Sequence, residues 1–269
     1  MLDGDVRDRV RLLCLRRRGC RAGEHVKRRR RPAIREDRSR VLVNIKRTTP
    51  PVSPLTTNQP PGHSIGRRSI DRFPTLYLLN PTSLAKPLAV QQLGTDLLAY
   101  DIDIAVVTET WFKSQHADNA VAIPGYTLFR RDRPRRRGGG VAVYARSTLN
   151  CKLCDITAAP TDRRLELLWV QLQHANKTVV IGALYHPPKP LYNNTDLIQE
   201  IDRSVEQITN STKDTIVILA GDFNQLPDSA VRQLGLHTIF CGPSHAGHCL
   251  DRIYASEKIT VIVDVLLQP

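Results

Sequence analysis

The sequence predicts an α/β fold from about residue 73 onward, and three observations carry that prediction. Short apolar runs rich in Val, Ile and Leu recur between Leu76 and Leu267, the pattern of buried strands. Two stretches, after Ser83 and around Thr195, instead carry apolar residues at helical spacing. The strands also share a habit: Asn80, Glu109, Tyr185, Asp222 and Asn224 each follow an apolar run, and Asp251 lies inside one. If the strand ends gather at one rim, two carboxylates, two carboxamides and a phenol converge there.

The first 72 residues are different. Arg16–Arg18 and Lys27–Arg31 are dense cationic blocks that repel themselves and stay unfolded unless an anion pairs them. Arg28–Arg31 could bind nucleic acid or act as a nuclear address. Val41–Ile45 has the composition of a short strand, with nothing nearby to pair with it. Pro50, Pro51, Pro54, Pro60 and Pro61 among Thr and Ser read as an extended linker. Residues 1–72 are accordingly expected to be a disordered basic leader, and 73–269 the folded domain.

A net charge of +13 and a pI near 9.8 favour polyanionic partners, nucleic acid before anionic membrane. No apolar run approaches the length of a membrane span. The first eleven residues alternate acids and arginines without an apolar h-region, so no secretory signal is read. The six cysteines, at 14, 20, 151, 154, 241 and 249, are expected to be free thiols in a reducing compartment. Cys151-x-x-Cys154 lacks a second close pair, and Cys241, His245, His248 and Cys249 match no common zinc spacing.

Along the folded part, Leu76–Leu79 reads as a strand ending at Asn80. A helix follows, with Thr82 or Ser83 as cap and Leu88, Leu93, Leu97 and Leu98 as its apolar stripe. Asp103–Val107 is a short buried strand running into Thr108-Glu109-Thr110-Trp111. Gly125–Phe129 and Val141–Tyr144 are strands joined by Arg130-Arg131-Asp132-Arg133-Pro134-Arg135-Arg136-Arg137 and Gly138-Gly139-Gly140, a hairpin with a strongly positive tip. Arginine forks suit phosphates, so Arg131, Arg133, Arg135, Arg136 and Arg137 are candidate DNA contacts. The Gly triplet is not a nucleotide-binding loop, because no Lys-Ser/Thr follows it.

Leu165–Leu172 and Thr178–Leu184 alternate as two strands about the turn His174–Lys177. The second ends in Tyr185-His186-Pro187-Pro188, whose prolines hold the preceding backbone extended and fix Tyr185 at the rim. Asp196–Ile208 has helical spacing at Leu197, Ile201, Val205 and Ile208, with Thr195 as a possible cap. Ile216–Asn224 is a buried strand that ends in Asp222 and Asn224; side chains two apart face the same way while the chain stays extended. Cys249-Leu250-Asp251-Arg252-Ile253-Tyr254 lies in a further strand with an embedded acid, and Ile259–Leu267 is the last. Carboxylate oxygens suit Mg²⁺, and amides and a phenol suit phosphate oxygens.

In order and wording these pieces resemble the endonuclease/exonuclease/phosphatase superfamily, and within it the endonuclease domain of LINE-type (non-LTR) retrotransposon polyproteins. The pieces are Leu79-Asn80 with Ser83-Leu84, Glu109-Thr110-Trp111, Gly125-Tyr126, Arg131-Asp132-Arg133 leading to the Gly triplet, Tyr185-His186-Pro187-Pro188, Gly221-Asp222-Phe223-Asn224, and Leu250-Asp251-Arg252-Ile253-Tyr254. The resemblance implies two stacked mixed β-sheets flanked by helices, a deoxyribonuclease-like four-layer sandwich with the site at one end. It implies Glu109 as a Mg²⁺ ligand with Asn80 close by, Asp222 as the group that orients or deprotonates the attacking water, and Asn224 and Tyr185 as holders of the scissile phosphate. DNA would be the substrate, the nucleus the location, and a nick with a 3′ hydroxyl the product that primes reverse transcription. No obligate protein partner is inferred. Relatives carry a Ser-Asp-His motif after the final strand, with Asp251 matching the acid that orients its His. The motif does not occur here, and His186 stands where relatives often have arginine. A domain lacking its C-terminal end, and an impaired nuclease, are therefore expected. The alternatives are a non-catalytic nucleic-acid-binding remnant, or a phosphoesterase of the same superfamily acting on a non-DNA substrate such as a phosphoinositide or sphingomyelin.

Overall fold

A computed structural model describes residues 39–46, 73–154, 162–211, 214–242, 249–257 and 260–267. In chain order the strands and helices are β1 (Ser39–Lys46), β2 (Leu76–Leu79), α1 (Ala89–Ala99), β3 (Ile104–Thr108), β4 (Tyr126–Arg131), β5 (Val141–Arg146), β6 (Lys152–Leu153), β7 (Glu166–His174) and β8 (Lys177–Tyr185). They continue with α2 (Asn194–Ser211), β9 (Thr215–Asp222), α3 (Asp228–Arg232), β10 (His237–Cys241), β11 (Asp251–Ala255) and β12 (Thr260–Leu267). One sheet has the order β12-β1-β2-β3-β5-β4 and the other β10-β11-β9-β8-β7-β6. Each is mixed: β2 runs parallel to β3, and β8 parallel to β9, within otherwise antiparallel neighbours.

Strand periodicity explains the stacking. On β9, Ile216, Ile218 and Ala220 pack into a core shared with Ala105, Val107 and Val143 of the first sheet. The alternate residues Val217 and Leu219 pack instead with Leu197, Ile201, Val205 and Ile208 of α2. Successive side chains point to opposite faces, so one strand serves both the inter-sheet core and the helix layer. Helix α1 buries Val90, Leu93 and Leu97 in the core of the first sheet. The fold is the stacked-sheet α/β sandwich that the resemblance implies.

Several expectations need correction. Val41–Ile45 does find partners: β1 pairs antiparallel with β12 from Ser39↔Leu267 to Lys46↔Thr260, and meets β2 at Val43↔Leu76. A disordered assignment for all of 1–72 therefore fails at 39–46, because the partner strand sits at the far end of the sequence. The cationic blocks and the proline-rich linker lie outside the described residues.

Helix α1 starts at Ala89, and neither Thr82 nor Ser83 caps it. Pro87 disfavours helical backbone at Lys86, which works against a helical start upstream. Leu88 precedes the helix in a left-handed conformation (φ 62°), and Leu88 and Leu98 are 73% and 63% exposed rather than part of the stripe. At α2 Thr195 lies within the first turn and is not the cap; Asp196, one residue on, reaches back and accepts the Asn193 N–H through Oδ2 at 3.1 Å. Cys241 and Cys249 are joined as a disulfide, with Cα atoms 5.6 Å apart, against the expectation of free thiols. Cys151 and Cys154 are free, and burial pushes the Cys151 thiol up to about 11. Cys14 and Cys20 lie outside the described residues, as do His245 and His248.

Candidate active site

The two parallel pairs aim their C-terminal ends at the same rim. From the first sheet, β2 delivers Asn80 and β3 delivers Glu109. From the second, Tyr185 ends β8 and lies in register with Asp222 at the end of β9. Asp251, which begins antiparallel β11, is the register partner of Asp222 on its other side. Glu166, at the start of β7, is the register partner of Tyr185. Four strands of one sheet thus line up Glu166, Tyr185, Asp222 and Asp251. Asp222 continues the 216-218-220 parity and so faces the other sheet.

Hydrogen bonds tie the two sheets together at this point. The Asn80 amide donates to Asp222 Oδ2 at 2.8 Å and to Glu109 Oε1 at 3.3 Å. Its orientation follows from the Thr82 N–H, which donates to Asn80 Oδ1 at 3.1 Å. The Tyr185 hydroxyl donates to Glu109 Oε1 at 3.0 Å, and Trp111 Nε1 to Glu109 Oε2 at 3.4 Å. The Asn224 N–H donates to Asp222 Oδ1 at 3.1 Å. Asn80, Asp222, Asn224 and Asp251 are all buried, as is Tyr185.

The local backbone is shaped for this. A Cβ on Gly221 would lie 1.8 Å from the Leu184 carbonyl oxygen, so only glycine lets β9 run this close to β8 just before Asp222. Glu109 (φ 51°) and Asn224 (φ 43°) both adopt the left-handed region, at a cost of about 1–2 kcal/mol for a residue with a Cβ. The turns swing both side chains off the strand direction and into the site. The Asn224 amide donates to the His186 carbonyl at 2.7 Å, which fastens the turn after β9 to the turn after β8.

Burial sets the protonation of two groups at this rim. Burial, then the charges of Glu109 and Asp222, push the Tyr185 phenol far above its ordinary value, so it remains protonated. Burial, then the Arg252 guanidinium, lower His186 to about 4. Its neutral ring lies 3.1 Å from the Tyr192 hydroxyl.

Sequence reasoning missed three contributors. Glu166 is 3% exposed; it accepts from Arg133 Nε at 2.7 Å and from the Gly140 N–H. Burial raises its carboxyl even with Arg133 alongside. The Gly triplet makes this possible: a Cβ on Gly139 would lie 2.3 Å from the Arg133 guanidinium and 2.5 Å from Glu166 Oε2. Arg252 is buried and holds the turn after β9 through the carbonyls of Leu226 (2.6 Å) and Asn224 (3.4 Å). Lys113 bonds the carbonyls of Arg133 (3.1 Å) and Arg136 and braces the arginine loop.

The five candidate arginines divide. Arg133 is spent on Glu166, with its guanidinium 5.5 Å from the Tyr185 ring centre. Arg131 donates to the Leu165 carbonyl at 2.9 Å. Arg135, Arg136 and Arg137 are exposed, and Arg137 stacks 5.2 Å from the Trp111 ring centre. The pairing of Arg133 follows from Glu166, which the hairpin reading did not include.

For a metal, the chemistry of the donor set is the test. Glu109 and Asp222 present carboxylate oxygens, with no thiolate and no imidazole beside them, which suits a hard divalent cation, whereas Asn80 turns its amide nitrogen toward both and spends its oxygen on the Thr82 N–H. Among the described residues no group of three or more His, Cys, Asp or Glu gathers as a chelating cluster. A site with few protein ligands leaves positions for water and substrate phosphate, as Mg²⁺ prefers.

The sequence pattern of the Endonuclease/Exonuclease/phosphatase family matches residues 41–268. Among solved structures, the chain is similar to the AP endonuclease LMAP from Leishmania major, at 12% identity over 71% of this chain and 87% of that one, with a TM-score of 0.53. It is also similar to the endonuclease domain of TRAS1, a telomere-specific non-LTR retrotransposon (16% identity, 67% and 84% covered, TM-score 0.45). A third is humanized D. rerio TDP2 (18% identity, 62% and 73% covered, TM-score 0.42). No curated protein matches in sequence.

Proposed function

This chain belongs to the endonuclease/exonuclease/phosphatase family, and from that premise we propose that it is a Mg²⁺-dependent DNA endonuclease domain of retrotransposon descent. The observation that carries the reading is the constellation itself: Asn80 bridges Asp222 and Glu109 across the two sheets, and Tyr185 bonds Glu109 from the opposite sheet. In-line attack on a phosphodiester needs a water oriented at one face and charge stabilisation around the phosphorus.

Asp222 is the group to orient or deprotonate that water. One of its oxygens is held by Asn80 and the other by the Asn224 N–H, so its lone pairs are aimed rather than free to rotate. Glu109 would hold the cation, with the Asn80 amide nitrogen beside it as a hydrogen-bond donor and not a ligand; the cation when bound would offset the charge building on the scissile phosphate. Tyr185 keeps its proton and can transfer its hydrogen bond from Glu109 to a phosphate oxygen. One Asn224 amide hydrogen is committed to His186, which leaves the second for phosphate. Asp251 lies beside Asp222 in register and would buttress the same edge.

The retrotransposon assignment rests on Glu109-Thr110-Trp111, the Gly triplet and Gly221-Asp222-Phe223-Asn224 occurring together in family order. It carries with it a nick whose 3′ hydroxyl primes reverse transcription, and a nuclear location, which imaging of a tagged chain tests. Supercoiled plasmid incubated with the purified chain and Mg²⁺ tests the activity. Nicking that disappears in Glu109→Ala and in Asp222→Ala supports the proposal; nicking that survives both sinks it. Plasmid that is retarded on a gel but never nicked would select DNA binding without cleavage instead.

A further inference from the structure

A cleft of about 70 Å³ opens beside the rim, between the arginine loop after β4 and the loop after β8. Arg133, Arg136, Arg164 and Lys189 line it, against the single carboxylate of Glu166. Two of these cations are already matched. Arg133 pairs with Glu166 at 2.7 Å, and Arg164 pairs with Asp162 at 2.6 Å while its other arm bonds the Leu191 carbonyl. Arg164 therefore fastens the loop after β8 rather than reading a ligand. Arg136 and Lys189 are exposed and meet no carboxylate among the described residues, although they come from different loops.

The walls are preset. Pro134 and Pro187 stand in the lining, and their rings fix the backbone from which the cations project. Tyr192 is buried and bound to His186, whose carbonyl holds Asn224. The cleft is thus coupled to the rim on both sides: by Tyr192 and His186 on one, and by Arg133 over the Tyr185 ring on the other. Its volume is well below the roughly 300–1,000 Å³ of pockets for drug-sized ligands, which excludes such a ligand and suits one anionic group. A lysine point charge and an arginine fork on facing loops match a phosphate.

We infer that this cleft seats a backbone phosphate of the DNA strand, next to the phosphodiester held at the rim, with Arg136 and Lys189 as its ligands. The inference rests on the DNA reading above. It gives Arg136 a defined neighbour instead of a place in a diffuse basic loop, and it brings in Lys189, which the sequence did not single out.

The test is binding of a short fluorescein-labelled duplex to the whole chain, read by anisotropy over a series of KCl concentrations without divalent ion. Wild type, Arg136→Ala/Lys189→Ala and the control Lys152→Ala/Arg232→Ala are compared. The control removes two cations from other elements. Losing one phosphate contact lowers the slope of log affinity against log salt by about 0.9. The cleft variant is expected to show that drop, with affinity about tenfold weaker, roughly 1.4 kcal/mol, while the control stays at the wild-type slope. Equal losses in both variants, or none in the cleft variant, overturn the inference. So does inorganic phosphate that binds the wild type and blocks the duplex at equimolar concentration, since the cleft is then a site for free phosphate. Plasmid nicking plays no part in these readings, so a failed nuclease assay and a failed cleft are told apart.

Discussion

Asn80 and Asp222 lie 142 positions apart in sequence and are joined by a 2.8 Å hydrogen bond. The same amide nitrogen reaches Glu109, so two carboxylates from different sheets share one neutral donor. Without it the carboxylates would face each other across a buried gap with no proton between them. Asn80→Ala is expected to lower plasmid nicking by about 10²-fold, the scale on which removing one preorganised donor acts. It should also cost about 1–3 kcal/mol of stability, because a buried acceptor loses its partner. Single-turnover nicking and urea unfolding measure the two effects separately. Wild-type nicking by Asn80→Ala would remove the bridge from the mechanism.

Gly221 is expected to be the least replaceable glycine of the described residues. Its Cβ position lies 1.8 Å from the Leu184 carbonyl oxygen, a backbone atom within the parallel β8–β9 pair that cannot swing aside. Gly221→Ala should destabilise by about 3 kcal/mol or more, at or above the usual range for overpacking. Gly235 gives the contrast: its φ is 77°, but nothing lies within 4 Å of its Cβ position. Gly235→Ala should cost only about 1–2 kcal/mol, from the left-handed backbone alone. Urea midpoints for the two variants check the order.

The legibility of this site follows from what strand ends reveal. Asn80, Glu109, Tyr185 and Asp222 each stand where an apolar run stops, and a polar group at a strand end is visible in one dimension. Their meeting depends on β2 and β8 both being the first strand of a parallel pair, which is a property of sheet order and not of any local stretch. Glu166 does carry a signal in the sequence. It sits on the same parity as Leu168, Val170 and Leu172 of β7, and an acid on a core-facing parity needs a partner. Parity shows that Glu166 needs a cation or donor, and only the sheet order makes that partner Arg133. The pairing of β1 with β12 had no local signal, since hydrogen bonding between the two ends of a sequence leaves no trace in either alone. The disulfide likewise depends on β10 and β11 lying side by side, which brings Cys241 and Cys249 together.

His186 predicts acid sensitivity. Its folded value is about 4, below the ordinary imidazole value of 6.5, so the unfolded chain binds the proton more tightly. Stability from the neutral ring is fully present above pH 6.5 and is lost as the pH falls toward 4. A shift of that size corresponds to about 3 kcal/mol for a group only 2% exposed. His186→Gln cannot titrate, so between pH 7 and pH 4.5 it should lose less stability than wild type, whatever its starting value. Parallel urea curves for the two proteins at both pH values would remove His186 as the cause.

The roles proposed for the two bridged carboxylates are expected to separate in kinetics. Glu109 is engaged by Tyr185, Trp111 and Asn80 and shares no oxygen with the turn after β9, which fits a cation ligand. Asp222 is gripped through both oxygens by Asn80 and the Asn224 backbone, which fits a group that must hold one orientation toward water. Glu109→Gln keeps the shape but weakens the charge that would attract a cation, so the Mg²⁺ concentration for half-maximal nicking should rise at least about tenfold. Asp222→Asn removes the acceptor for the water proton, so the rate at saturating Mg²⁺ should fall by about 10²–10⁴-fold with little change in that half-maximal concentration. Mg²⁺ titrations of plasmid nicking for both variants read the two parameters apart. If both variants shift the metal requirement equally, the carboxylates act as one shared ligand set, and Asp222 loses its separate role toward the attacking water.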